Sequence, residues 1–241
     1  MDRAKLVSVT LYLVERYFFY PKLRSVLLGL CPPHKKKSDE SRGVILDVGG
    51  NRGQSTRFFR SIYPTSPIHL FEPIQELSSH YSDFDTDPDI FIHHLAIGKE
   101  SGSCNFYFAP KFSEISSLSL PMKTSTMTKL KKLILGHRFN YVVRQVKIET
   151  LDSFCQANNI DTIKILKIDV EGHEIDVLEG AKNLLSGGRI ELVQLESHRD
   201  KQRQDFRCQI RSLLAEYGYD LKEVIRHFPG NFDELIFLKA R

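Results

Sequence analysis

Short apolar runs alternate with amphipathic stretches along most of the chain. Val44-Ile45-Leu46-Asp47-Val48 is a largely apolar run ending in glycines, which predicts a strand buried on both faces. Residues 54–63 place Phe58, Phe59, Ile62 and Tyr63 at helical spacing, and Pro64 ends that pattern. Ile68 to Phe71 reads as a second strand, residues 74–81 as a short helix and Ile90 to Ile97 as a third strand. The rhythm returns with a strand from Ile163 to Val170. A helix over 174–185 follows, with Ile175, Leu178, Ala181 and Leu185 on one face. Ile190 to Leu195 is the next strand, and a helix over 205–217 turns Phe206, Ile210, Leu213, Leu214 and Tyr217 inward. Leu221 to Ile225 and Leu235 to Leu238, around Pro229-Gly230-Asn231, close the chain as an antiparallel hairpin. Strands and helices in this order predict an α/β domain with a mostly parallel sheet and helices on both faces.

Two stretches depart from the rhythm. Residues 99–162 hold a hairpin strand (Asn105 to Phe108), a serine-rich run over 113–119 and a short helix opening near Thr150-Leu151-Asp152. An insertion of this kind is expected over the carboxyl ends of the strands, where ligands bind. Residues 1–42 form the other. Leu6 to Val14 follow Arg3 and Lys5 as a signal segment would, but Glu15-Arg16 stands where a small-residue cleavage site is needed. Glu15, Arg16, Lys22 and Arg24 keep the apolar stretch short of the roughly 18–20 residues that span a bilayer. The expectation is a helical extension that packs Leu6, Val9, Leu13, Tyr17 and Tyr20 on a domain of residues 43–241, with residues 32–41 as linker. Peripheral contact with a membrane through Tyr17-Phe18-Phe19-Tyr20 is the alternative.

Composition narrows the classes. With 34 Lys+Arg against 30 Asp+Glu, the net +4 is too small to imply a nucleic-acid partner. Four widely spaced cysteines give neither a disulfide scaffold nor a local zinc pattern, which points to a reducing, cytoplasmic setting.

The chemistry begins at Asp47-Val48-Gly49-Gly50-Asn51-Arg52-Gly53, between a strand and a helix. Gly49, Gly50 and Gly53 let the backbone turn sharply and approach a ligand. The run is not GxGxxG, and a carboxylate beside the loop would repel a pyrophosphate, which disfavours a nicotinamide-dependent oxidoreductase. It suits a ligand bearing cations and hydroxyls, such as S-adenosylmethionine (SAM). Glu72 ends the next strand, where an acid can accept hydrogen bonds from two ribose hydroxyls. Asp169, Glu171, His173 and Glu174 crowd the end of the fourth strand. Neighbouring carboxylates raise one another's proton affinity, which suits a general base, and an imidazole serves equally. Glu174 reads instead as a first-turn helix acid.

Asp47 to Gln54, Phe71-Glu72-Pro73, Leu95-Ala96-Ile97-Gly98, Ser116-Ser117-Leu118, Thr150-Leu151-Asp152 and Leu166 to Glu174 resemble, in order, the motifs of FkbM-type SAM-dependent methyltransferases. The resemblance covers residues 43–198. It implies a class I, Rossmann-like methyltransferase fold with a seven-stranded sheet, and O-methylation of a hydroxyl on a sugar, glycolipid, polysaccharide or polyketide-like natural product. By the same analogy Asp47, Gly49, Asn51 and Glu72 hold SAM, with Gly50 and Gly53 in the loop. Ala96 lies by the adenine, and Asp169-Val170-Glu171 faces the methyl group. Arg52 stands where the family more usually has a hydrophobic residue. The base is expected among Asp169, Glu171 and His173, with Glu196 and His198 in reserve. A divalent metal on these carboxylates is the other way to polarise a hydroxyl; no metal is the expectation. A SAM-binding scaffold without catalysis is the non-enzyme alternative.

One further stretch is distinctive. Between Glu114 and Glu149 there are seven Lys/Arg and no acid, with Met127, Leu130, Leu133 and Ile134 near helical spacing. This predicts a basic amphipathic helix, either a lid or a surface for an anionic glycan, glycolipid or membrane.

Overall fold

The computed structural model describes residues 19–33, 43–109, 118, 141–199, 204–227 and 231–240. A seven-stranded sheet organises the chain in the order β3 (Ile90–His93), β2 (Ile68–Phe71), β1 (Val44–Val48), β7 (Ile163–Ile168), β8 (Ile190–His198), β10 (Phe232–Lys239) and β9 (Tyr219–Arg226). The first five run parallel, and β10 lies antiparallel between β8 and β9 as the expected closing hairpin. The apolar runs that predict strands are buried on both sides because helices cover both faces.

One face carries Leu46, Val48, Leu166, Ile168, Val193, Leu195, Leu235 and Phe237 in a single core. Over it lie α3 (Leu151–Ala157), α4 (Glu174–Glu179), α5 (Lys182–Ser186) and α6 (Gln204–Glu216). The opposite face turns Ile45, Ile165, Leu192 and Ile236 toward α1 (Tyr20–Leu30) and α2 (Gln54–Ile62). In α1 the buried positions Phe19, Leu23, Leu27 and Cys31 recur every four residues, one stripe of a helix. The Tyr63 hydroxyl donates to the Cys31 carbonyl at 2.8 Å and anchors the helix end. Of the extension positions named above, Tyr20 is half-buried with its ring 4.7 Å from that of Phe58. Leu6, Val9, Leu13 and Tyr17 lie outside the described residues. No helix among the described residues is long and apolar enough to cross a membrane.

Two local expectations are corrected. The run Ile90 to Ile97 is two strands, not one. His94 breaks it, with Nδ1 3.2 Å from the Glu72 carbonyl and Nε2 3.0 Å from Ser78 Oγ. Beyond the break, β4 (Ala96–Ile97) joins a second sheet with β6 (Val142–Glu149) and β5 (Gly102–Phe108) in the order β4-β6-β5. β6 is not legible as a strand because it is mostly exposed and carries Arg144, Gln145 and Lys147. The predicted 174–185 helix is two helices divided at Gly180, where an added Cβ would lie 2.1 Å from the Gly98 carbonyl oxygen. Asp152 then accepts from the Asn183 and Leu184 amides at 3.0 Å each, satisfying two amino-terminal N–H groups of α5. The short helix expected over 74–81 is present as a 3-10 helix, Gln75–His80.

Replacing Leu27 by Ala removes a fully buried side chain between α1 and the sheet. A loss of about 2–5 kcal/mol is expected in urea unfolding. A loss under about 1 kcal/mol would mean that α1 is not part of the cooperative core.

Candidate active site

The loop after β1 is built on a buried acid. Asp47 is fully buried, and its Oδ2 accepts from Ser55 Oγ and Thr56 Oγ1 at 2.6 Å each, tying β1 to the first turn of α2. Asp47 thus shapes the loop from beneath. Gly49 has φ +82, and an added Cβ would stand 1.9 Å from the Asp169 carbonyl oxygen. No other residue lets the loop pass so close to the end of β7. The Gly49 and Gly50 amides donate to the Phe71 carbonyl at 3.0 and 3.1 Å, while Gly53, at φ +78, opens α2.

Glu72 faces this loop from the end of β2. Its Oε2 accepts from the Asn51 amide at 3.1 Å and its Oε1 from the Ile74 amide at 3.0 Å. A carboxylate offers about four lone-pair positions, so roughly two are left for a pair of ribose hydroxyls. Burial pushes the Glu72 carboxyl up to about 7 against those two hydrogen bonds, and the charges of Asp169 and Asp47 add to the rise. Tyr81, which belongs to none of the motifs above, donates its hydroxyl to the Asn51 carbonyl and fixes the loop in its left-handed turn (Asn51 φ +46). Asn51 Oδ1 is buried without a hydrogen-bond partner among the described residues. Ala96 is buried with Leu70, Ile74, Tyr81 and Phe84, in the cluster that backs the loop and the Glu72 turn.

Across the loop, acids from three strands converge around one cation. Lys167 Nζ lies 3.0 Å from Asp169 Oδ2 and 4.0 Å from Asp47 Oδ1. Burial alone would pull Lys167 down, but the Asp169, Asp47 and Glu234 carboxylates hold it above its usual range. Glu234, on β10, is pushed up to about 7 by burial despite Lys167, and accepts from Gln194 Nε2 at 3.1 Å. Glu196, paired with Glu234 in register, is held well above the usual carboxylate range by burial and by the charges of Asp169, Glu171 and Glu234.

The predicted residues separate into two groups. Glu171 sits on a left-handed turn (φ +54) after β7, with Oε2 3.4 Å from His198 Nε2, and Glu196 Oε1 is 3.5 Å from the same nitrogen. Thus the two reserve residues at the end of β8 join Glu171, while Asp169 is drawn to Lys167. His173 caps α4 and pairs through Nδ1 with Asp176 Oδ2 at 2.8 Å. Glu174 accepts from the Gly172 amide at 3.0 Å, the first-turn role expected of it. The insertion reaches the site at Tyr141, whose hydroxyl is pushed up by burial and by the Glu171 charge. Met127, Leu130, Leu133 and Ile134 lie outside the described residues. Within the basic stretch, Arg144 and Lys147 are already paired, with Glu76 and Glu149 at 2.8 Å. A polar cleft of about 450 Å³ beside Asp152, Asp161 and Arg189 is at the opposite, amino end of β7 and β8, away from this chemistry.

Two outcomes follow from this geometry. Lys167→Met leaves Asp47, Asp169 and Glu234 without their buried cation, and a loss of roughly 3–5 kcal/mol is expected near pH 8. Glu234 takes up a proton below about 7, so the loss is smaller near pH 5 and grows as the pH rises through that value; denaturant curves at both pH values check it. The ionised Glu72 is the better acceptor for ribose hydroxyls, so SAM affinity should weaken about tenfold from pH 8 to pH 6. Calorimetry on Glu72→Gln should show weaker binding with that part of the pH dependence gone.

Comparison with known proteins places this site. Residues 47–221 match the methyltransferase FkbM domain, well over half of the chain. Methyltransferase 1 of Beauveria bassiana (strain ARSEF 2860) is 30% identical over 145 residues, 56% of this chain and 57% of that protein. The chain therefore spans a little over half the length of that relative. The 2-O-methyltransferase NoeI of Sinorhizobium fredii (strain NBRC 101917 / NGR234) is 22% identical over 202 residues, 81% of this chain and 79% of that one. The crystal structure of methyltransferase FkbM from Methylobacillus flagellatus KT superposes with a TM-score of 0.51 at 15% identity, over 81% of this chain and 43% of that one, a likeness of fold. SAM is the cofactor, and the residues present fit it: the loop that only glycine can form, the spare acceptor positions of Glu72 and the buried Asn51 Oδ1. With a match that runs from Asp47 at the head of the loop to Leu221, the chain belongs to the FkbM methyltransferase family.

Proposed function

We propose that the chain transfers a methyl group to a hydroxyl oxygen on a sugar, glycolipid, polysaccharide or related natural product. The observation that carries this reading is the group of acids and imidazole at the ends of β7 and β8, beside the cofactor loop. A hydroxyl must lose its proton as its oxygen attacks, and this end of the sheet is where proton acceptors are gathered. The description of NoeI as a 2-O-methyltransferase supports an oxygen acceptor.

Bound SAM supplies a methyl on a sulfonium that is already an activated leaving group. The chain supplies the rest. The loop from Gly49 to Gly53 and Glu72 hold the adenosyl part. The ends of β7 and β8 hold the acceptor oxygen within the roughly 3–3.5 Å of a near-attack arrangement. Asp169 or Glu171 takes the hydroxyl proton, while Lys167 keeps Asp169 in place. Lys/Arg residues between Glu114 and Glu149, apart from the paired Arg144 and Lys147, support an anionic acceptor.

The test is label transfer from methyl-labelled SAM to a panel of glycans, glycolipids and hydroxylated natural products. Asp169→Asn and Glu171→Gln keep shape and lose basicity, so turnover is expected to fall by about 10²–10⁴ with SAM affinity kept within about threefold. Wild-type turnover in both variants would move the base to His173.

A further inference from the structure

We infer that Glu171, Glu196 and His198 form a binding site for one divalent transition-metal ion of the manganese, iron or zinc class, against the expectation of no metal. The inference rests on the methyl-transfer reading and specifies how the site grips its acceptor.

Two observations carry it. The donor atoms of the three side chains all lie within 4.8 Å of one another, and each residue is half-buried. Glu196 and His198 are two apart on β8, so the strand's period of two puts both on one side, and the left-handed turn at Glu171 brings the third donor to meet them. The second observation is the spacing. His198 Nε2 is buried, 3.4 Å from Glu171 Oε2 and 3.5 Å from Glu196 Oε1, and hydrogen-bonds to neither. A charge-assisted imidazole–carboxylate bond closes to about 2.7–2.9 Å. Another imidazole–carboxylate pair in this protein does so, at 2.8 Å between His173 and Asp176. Ligands about 2.1 Å from a tetrahedral ion stand about 3.4 Å from one another, which is the spacing found around His198.

Two carboxylates and one imidazole form a mixed oxygen and nitrogen set that suits Mn²⁺, Fe²⁺ or Zn²⁺ better than a thiolate-seeking ion. Three protein ligands leave at least one position open, the arrangement of sites that bind a reactant. That position takes the acceptor's hydroxyl oxygen and polarises it. With Glu171 engaged as a ligand, Asp169 is the group that receives the hydroxyl proton.

Co²⁺ reads this directly, because its visible absorption reports a four- or five-coordinate site. Titration of the full chain with Co²⁺ should saturate at one ion per chain, and Mn²⁺ or Zn²⁺ should displace the signal. His198→Ala and Glu196→Gln should each weaken binding at least tenfold, while SAM affinity, measured on the same preparations, stays within about threefold and confirms that they are folded. Absence of the bands at millimolar Co²⁺, or bands that survive both substitutions, would overturn the inference. In either case a wild-type chain that still binds SAM and transfers methyl leaves the proposed function standing; one that does neither sinks that reading instead.

Discussion

A single buried ammonium lets the acidic end of this sheet exist. Lys167 sits between Asp47 and Asp169, with Glu234 close enough to raise its proton affinity. Asp47 shapes the loop after β1 and Asp169 stands at the end of β7, so one side chain joins the two. Desolvating several carboxylates together would be prohibitive without such a partner. The balance is incomplete: Glu72, Glu196 and Glu234 all hold their protons more tightly than free carboxylates. That residual strain toward positive charge is what a sulfonium-bearing cofactor meets on arrival.

Much of this architecture is legible in the amino-acid sequence. The strands with long apolar runs are found where periodicity puts them, because burial on both faces leaves little room for polar residues. Asp47 to Gly53 is legible as a ligand loop, since three glycines between a strand and a helix let the backbone turn sharply and approach a ligand. Lys167 carries a signal too: a lysine inside Leu166-Lys167-Ile168, two residues before an acid, shares the side of Asp169. Glu196 and His198 obey the same rule on β8, yet only the turn at Glu171 shows that they meet the end of β7. β6 is hidden because most of its side chains face water, so no alternation marks it. The break at Gly180 is hidden because it answers to the Gly98 carbonyl, 82 residues earlier in the chain (180 − 98), a constraint no local window contains.

The second sheet has a clear mechanical part. β4 hangs from β6, and Gly98, just past β4, donates its amide to the Glu149 carbonyl at 3.0 Å. Its own carbonyl touches Gly180, and the Gly180 carbonyl accepts from the Asp152 amide at 2.9 Å. The insertion is thereby clamped between the helices behind the sheet and the residues that flank the cofactor loop. An insertion anchored at such a base can vary in sequence without disturbing the loop.

The first described helix reaches the carboxyl end of β8 through a file of rings. The Phe19 ring lies tilted on His227 with centroids 3.6 Å apart, His227 on Phe232 at 4.0 Å, and Phe232 meets His198 at 6.0 Å. Four rings in file thus run from the start of α1 to the imidazole at the end of β8. Packing at one end of the file is felt at the other, so a substitution at Phe19 would shift the setting of His198.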